Sequence, residues 1–251
     1  MFLADASVKE IFEVKPRIHK IILNQPEAAK IAEPGQFINI RVSETHYPLL
    51  RRPFSICDAE GETITLLFNL LGEGTRMLAH LKPGDSVNIM GPLGKGFKPV
   101  KGIKNQIFIA GGMGAAPFPL LARRTEGKIS TFIGGKSSRE IIELDLPNRE
   151  IATEDGSAGF KGNVIELLEE KISGKPPEDV MIYGCGPTGM LRALKTFCEK
   201  HNFVCQVSTE CAMACGFGIC QGCPTVSATE PGGYKLVCKD GPVFDIKEIV
   251  L

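Results

Sequence analysis

The chain has 251 residues, room for two or three small domains with cores of their own. Apolar residues make up 43%, and 29 Lys plus Arg balance 29 Asp plus Glu, a neutral ledger that gives no support for binding nucleic acid or a charged membrane surface. The absence of Trp and the presence of three Tyr argue against a base-stacking platform. No stretch approaches about 18 uninterrupted apolar residues, so no membrane span is expected. Residues 1–6 show neither a basic n-region nor a long apolar h-region, so no signal peptide is expected and the expected location is cytoplasmic. In a reducing compartment nine cysteines favour metal over disulfides.

The first hundred residues read as short strands separated by Gly/Pro turns. Segments 8–14, 17–23, 36–42, 63–68 and 86–90 qualify, and only 73–81 reads as a helix. Such spacing predicts a small antiparallel barrel. Two stretches stand out within it. Arg51-Arg52-Pro53-Phe54-Ser55-Ile56 joins cations to an aromatic and a hydroxyl. Gly72-Glu73-Gly74-Thr75-Arg76 opens the helix, where free N–H groups and the helix dipole favour an anion. Taken alone, a surface arginine and an ordinary turn account for these stretches equally well.

A glycine-rich connector, Gly91 to Phe97, marks a domain boundary, and the next domain begins near Lys101. Strands at 106–110, 129–134 and 180–183 then alternate with helices at 120–124, 164–172 and 188–200. That alternation predicts a parallel sheet with ligands at the carboxyl ends of its strands. The first strand runs into Gly111-Gly112-Met113-Gly114-Ala115-Ala116-Pro117, and glycines there let backbone approach a pyrophosphate. The stretch departs from G-x-G-x-x-G, with Pro117 in place of the third glycine. Tyr183-Gly184-Cys185-Gly186-Pro187-Thr188 likewise follows a strand and opens a helix. A lone buried apolar thiol is the plain reading of Cys185. Lys136-Ser137-Ser138-Arg139, after the second strand, lies where an adenosine ribose is sensed. Its basic residues leave NADP open beside NAD, and a solvated polar loop is an equally good account.

The last fifth of the chain carries Cys215, Cys220, Cys223 and Cys238 in the pattern C-x4-C-x2-C-x14-C. This is the spacing of a plant-type [2Fe–2S] site. Four soft thiolates also suit zinc, although only Cys220 and Cys223 form a C-x2-C knuckle. Disulfides or inert thiols complete the alternatives. Cys211 lies outside the pattern and reads as a bystander.

Arg52-Pro53-Phe54-Ser55, the Gly72–Thr75 turn, Gly111–Pro117 and Cys185-Gly186-Pro187 together resemble the ferredoxin–NADP reductase superfamily. The resemblance implies a multidomain β plus α/β chain: an FAD-binding antiparallel barrel (1–100), an NAD-binding parallel-sheet domain (101–205) and a small [2Fe–2S] module (206–251). By it Arg52, Pro53, Phe54, Ser55, Asn69, Leu70, Leu71, Gly74 and Thr75 would hold FAD. Gly111, Gly112, Gly114, Ala116, Pro117, Cys185, Gly186 and Pro187 would bind NAD(H), with Cys185 near the nicotinamide. Met213 to Cys223, and Cys238 with Asp240-Gly241-Pro242-Val243-Phe244-Asp245, narrow the resemblance. They are similar to the electron-transfer subunits of two-component, NAD-linked dihydroorotate dehydrogenases. That resemblance implies four cysteine ligands to the cluster and a partner subunit carrying FMN, in a heterotetramer of two of each. Dihydroorotate would be oxidised on the partner, as part of pyrimidine biosynthesis. The small subunits of NADH-dependent ferredoxin–NADP transhydrogenases and of sulfide dehydrogenases share the architecture and stay as alternatives. So does a non-redox nucleotide-binding module with structural zinc.

Overall fold

Residues 2–172 and 174–251 are described by the computed structural model. Strands β1 (Phe2–Lys15), β2 (Ile18–Asn24), β3 (Phe37–Ile40), β4 (Arg52–Glu60), β5 (Thr63–Asn69) and β6 (Ser86–Leu93) close into an antiparallel barrel in the order β1-β2-β5-β4-β3-β6. Period-two patterning drives this closure. Ile21 pairs with Leu66 and Leu23 with Ile64 across β2 and β5, and all four side chains are buried inside. Burial of each such side chain stabilises by about 1.5–3 kcal/mol. Helix α1 (Pro26–Ile31) is absent from the sequence reading. Its six residues are too few to show a 3.6-residue period. It starts with Pro26 in its first turn and a Gln25 side chain that accepts from the Ala28 N–H at 2.9 Å. Helix α2 (Glu73–Ala79) is the one expected.

The second unit has the expected strands and helices with β9, β10 and β12 added: β7 (Asn105–Gly111), α3 (Phe118–Arg124), β8 (Lys128–Gly135), β9 (Arg149–Thr153), β10 (Phe160–Lys161), α4 (Val164–Ile172), β11 (Val180–Cys185), α5 (Thr188–His201) and β12 (Val204–Ser208). Strand β7 pairs with β8 on one side and β11 on the other, all parallel. The chain order reverses at that point, so a crevice forms at the carboxyl ends of β7 and β11.

The final segment holds a small hairpin, β13 (Pro224–Val226) with β14 (Tyr234–Leu236), and then β15 (Val243–Asp245). β15 adds antiparallel to β12, with Val207 opposite Phe244. The cysteine-bearing excursion is thus tethered at both ends to one sheet edge. The expected boundary between 205 and 206 falls inside β12.

Barrel and sheet are also joined by side chains. Arg123 of α3 forks onto Glu60 through two 3.0 Å bonds and reaches Asp58 at 3.1 Å. Cys57, Leu67 and Ala116 form an apolar contact between the two units. Among the described residues no helix is long and apolar enough to cross a membrane.

Candidate functional site

A cavity of about 520 Å³ opens where the barrel meets the other two units. The barrel supplies Arg52, Pro53, Phe54 and Ser55 from β4 and Asn69 from β5. Gly74 fits beneath the arginine: a Cβ there would lie 3.1 Å from Arg52 Nε and 3.2 Å from Val42. The Arg52 guanidinium donates to the Leu50 carbonyl at 2.6 Å, which fixes its direction and leaves further N–H donors for an anion. Thr75 Oγ1 accepts from the N–H groups of Leu71 and Gly72 at 2.9 and 3.1 Å and donates to the Gly72 carbonyl. That hydroxyl is committed to closing the turn. Phe54 and Phe68 stand 5.6 Å apart, centroid to centroid, and both line the cavity. An arginine beside a tight turn, with a wall of aromatic and apolar groups, fits a flavin nucleotide in chemistry and size.

A second cavity, of about 990 Å³, covers the crevice at the ends of β7, β8 and β11. Both cavities are lined by Asn69, Leu71, Met113 and Glu210, so they meet at these four residues. The glycines of the expected dinucleotide stretch differ in what they face. A Cβ on Gly114 would lie 2.1 Å from the Cys185 carbonyl oxygen, and one on Gly111 would lie 2.6 Å from Pro187. Gly112, with φ +53°, has nothing closer than the Glu140 carbonyl at 4.0 Å. Two of the glycines let the β7 and β11 loops interlock, and Gly112 faces open space. Lys136, Arg139, Glu140 and Glu154 put two cations and two carboxylates at the far end.

Cys185 is buried and lines neither cavity. Burial, then the nearby Glu210, push its thiol up to about 12 against a hydrogen bond from Ser208. Ala116 lines the smaller cavity, and Pro117 lies just before α3.

The four expected ligands fall into two pairs. Cys223 and Cys238 are buried with their Sγ atoms 3.1 Å apart. Cys220 is exposed, and its N–H donates to Cys215 Sγ at 3.5 Å. Desolvation raises the Cys215 pKa, but N–H groups from Cys220, Phe217 and Ile219 outweigh it and hold the thiol at about 6. Burial and the adjacent Cys223 push Cys238 up to about 12. All nine cysteines are unbridged. Among the described residues no three His, Cys, Asp or Glu side chains converge on a single metal position. Four thiols gathered in a loop rich in N–H donors fit a two-iron cluster. Glycine is required around them. Gly216 has φ +81° and Gly218 φ +93°. A Cβ on Gly216 would lie 2.0 Å from Asn39 Nδ2.

The model of the iron–sulfur cluster binding domain of dihydroorotate dehydrogenase B matches residues 210–250. The dihydroorotate dehydrogenase B (NAD(+)) electron transfer subunit of Desulforamulus reducens is 37% identical over 260 residues, covering 98% of this chain and 97% of that protein. The subunit of the same name from Caldanaerobacter subterraneus is 40% identical over 225 residues, covering 88% of each. The chain belongs to the dihydroorotate dehydrogenase B (NAD(+)) electron transfer subunit family. It is an oxidoreductase subunit, and its fold class is the expected one. An NADH-dependent reduced ferredoxin–NADP oxidoreductase structure superposes with a TM-score of 0.85 at 24% identity, over 98% of this chain and 89% of that one. The ferredoxin reductase of carbazole 1,9a-dioxygenase gives 0.66 at 19%, over 80% and 66%. At these identities the likeness is one of fold.

For this family member the structure gathers Arg52, Pro53, Phe54, Ser55, Asn69, Leu71, Gly74 and Thr75 around the smaller cavity. Leu70, Gly111, Gly112, Gly114, Gly186 and Pro187 line the larger one. Sequence reasoning missed Arg17, Met113, Glu210, Cys211 and Met213, which also line the cavities. Cys211 and Met213 sit on the smaller cavity's wall and pack against the cluster that contains Cys223 and Cys238. Met113 and Met213 lie inside stretches already singled out, and no spacing signal marks Arg17, Glu210 or Cys211, which loops from different units bring to the cavities.

Proposed function

We propose that the chain takes electrons from the FMN of a catalytic partner that oxidises dihydroorotate and delivers them to NAD+. One observation carries the reading: the wall of the smaller cavity is continuous with the cysteine loop on one side and with the larger cavity on the other. Cys215, Cys220, Cys223 and Cys238 hold the [2Fe–2S] cluster. Arg52 binds the FAD pyrophosphate over Gly74, and Thr75 holds the turn beneath it. Pro53, Phe54, Ser55, Asn69 and Leu71 would line the flavin, with Leu70 turned to the larger cavity. Gly112 lets the NAD pyrophosphate approach backbone, while Gly111, Gly114, Gly186 and Pro187 hold the two loops in place. Ala116 lies on the flavin side of the junction, and Pro117 leads into α3 behind it. When bound, the cluster supplies one-electron transfer and the flavin joins that to hydride chemistry with nicotinamide.

The protein's own contribution is position and polarity. Cys185 stays neutral at pH 7, because its thiol is held near 12, and it backs the nicotinamide end as an apolar group. No general acid or base is needed. The division into FAD (1–100), NAD (101–205) and cluster (206–251) units follows these roles. Exposed Phe217, Ile219 and Cys220 form the face that meets the partner in a cytoplasmic heterotetramer of two subunits of each kind. The test is anaerobic purification followed by assay of FAD, iron and sulfide and titration with NADH. The expected protein is coloured, holds FAD and iron with equal sulfide, and bleaches on adding NADH. A colourless, zinc-loaded protein contradicts the reading.

A further inference from the structure

The turn between β1 and β2 is far along the chain from every motif, yet it lines the larger cavity. Pro16, Arg17 and Ile18 line it, as do Lys136, Arg139 and Glu140. Lys15 ties the two together. Its Nζ donates to the carbonyls of Ser138 at 2.7 Å and Ile141 at 2.8 Å, across more than a hundred residues of chain. Both carbonyls belong to the short 3₁₀ turn Ser138–Glu140 and its cap. An ammonium bound to two carbonyls is a charge-assisted, directional tie, stronger than a neutral hydrogen bond.

Each side of this tie is itself held firm. Arg17 donates its backbone N–H to Glu13 at 2.6 Å and its guanidinium to the Leu70 carbonyl at 2.7 Å. Leu70 in turn donates to the Arg17 carbonyl at 2.8 Å. The hairpin is therefore anchored beside Asn69 and Leu71, where the two cavities meet. On the far side, the Ser138 N–H donates to Ser157 Oγ at 2.7 Å. Within its own domain the loop is also held by the Asp155 N–H on the Lys136 carbonyl at 3.1 Å and by buried Ile141, and Lys15 adds a hold from the barrel. The loop follows the second strand of a doubly wound sheet, the position that receives an adenosine ribose.

We infer that Lys15 is a positioning residue for the adenosine half of the nicotinamide dinucleotide: it fixes the 138–141 loop against the barrel and so sets dinucleotide affinity. The inference rests on the reading of the larger cavity as the NAD site. Contacts remote from the reacting atoms act through binding and orientation, so the effect falls on KM for the whole dinucleotide.

The test uses the intact chain with its cofactors and follows NADH-dependent reduction of ferricyanide. Lys15→Met should raise KM for NADH roughly fivefold or more, with kcat within about twofold. Lys15→Arg should restore most of the loss, because a guanidinium can also donate to two carbonyls. Reduced nicotinamide mononucleotide, which lacks the adenosine half, should show the same kcat/KM with Lys15→Met as with wild type. FAD content and the cluster spectrum should stay unchanged. An unchanged KM for NADH overturns the inference, as does an equal loss with both substrates, which would put the hairpin's effect at the flavin end. A wild-type chain that fails to oxidise NADH overturns the reading of the cavity itself, and this inference with it.

Discussion

Asn39 Nδ2 donates to the Cys215 carbonyl across 3.3 Å, linking barrel strand β3 to the cysteine loop. The asparagine is 1% exposed, and among the described residues its Oδ1 has no partner. This bond sets the height of the loop above the barrel. Asn39→Ala removes the donor and leaves a carbonyl unsatisfied, a cost of about 1–2 kcal/mol. The cluster should be stripped faster by an iron chelator, as followed by loss of visible absorbance, with FAD retained. Equal stripping rates would show that the bond does not hold the loop.

The cysteines separate by role. Cys223→Ala or Cys238→Ala removes one member of the 3.1 Å pair and should abolish iron binding in the purified protein. Cys211→Ala should keep full iron, although Cys211 packs against the same apolar cluster. Iron and sulfide assays decide, and loss of iron from the Cys211 variant would make it a ligand.

Arg52 is the one charged group of β4 on the wall of the smaller cavity. Its loss should weaken FAD by about 1.5–3 kcal/mol, roughly 10- to 100-fold in affinity, the usual worth of hydrogen bonds to a charged group. Fluorescence titration of the flavin-free Arg52→Ala protein with FAD measures this. Gly74→Ala should give a smaller loss, because its Cβ at 3.1 Å only nudges the arginine.

Two glycines three residues from the end of β7 or nearer should respond oppositely to alanine. Gly114→Ala drives a methyl into the Cys185 carbonyl, 2.1 Å away, and backbone must move. A destabilisation of about 3 kcal/mol or more is expected, seen as a lower Tm or insolubility. Gly112→Ala meets no neighbour and carries only the strain of φ +53°, about 1 kcal/mol. Its main effect should be on KM for NADH. A near wild-type Tm for Gly114→Ala would contradict the interlocked loops.

The pH dependence follows from Cys215, whose folded pKa of about 6 lies below its ordinary 9.0. In the cluster-free chain a depressed pKa stabilises the fold fully above 9 and loses that contribution as pH falls through 6. The urea midpoint of the cluster-free wild type, relative to Cys215→Ser, should therefore rise from pH 6 to pH 9. A flat difference would mean that the N–H groups around the sulfur do not hold its thiolate.

How much of this was legible in the sequence depends on scale. The barrel and sheet show in alternation, since Ile21, Leu23, Ile64 and Leu66 repeat at period two and share one interior. The cysteine and glycine motifs are local, so their spacing was readable. α1 was not, because Pro26–Ile31 is shorter than two helical turns. β15 was not, because three residues carry no period and its pairing partner lies in β12. What fills the space before Gly111 and Gly114 was also hidden: Pro187 and the Cys185 carbonyl arrive from a strand some seventy residues later. Met113, Glu210 and Met213 reach the cavities by the same kind of long-range juxtaposition.

The central claim is a continuous electron route from a partner through this chain to NAD+. It is tested most directly by combining the cofactor-loaded chain with its catalytic subunit, without oxygen, and following NADH formation on adding dihydroorotate. The account predicts NADH formation that needs both subunits and disappears with Cys223→Ala. A loaded complex that forms no NADH, or one in which the catalytic subunit alone reduces NAD+ at the same rate, would contradict it.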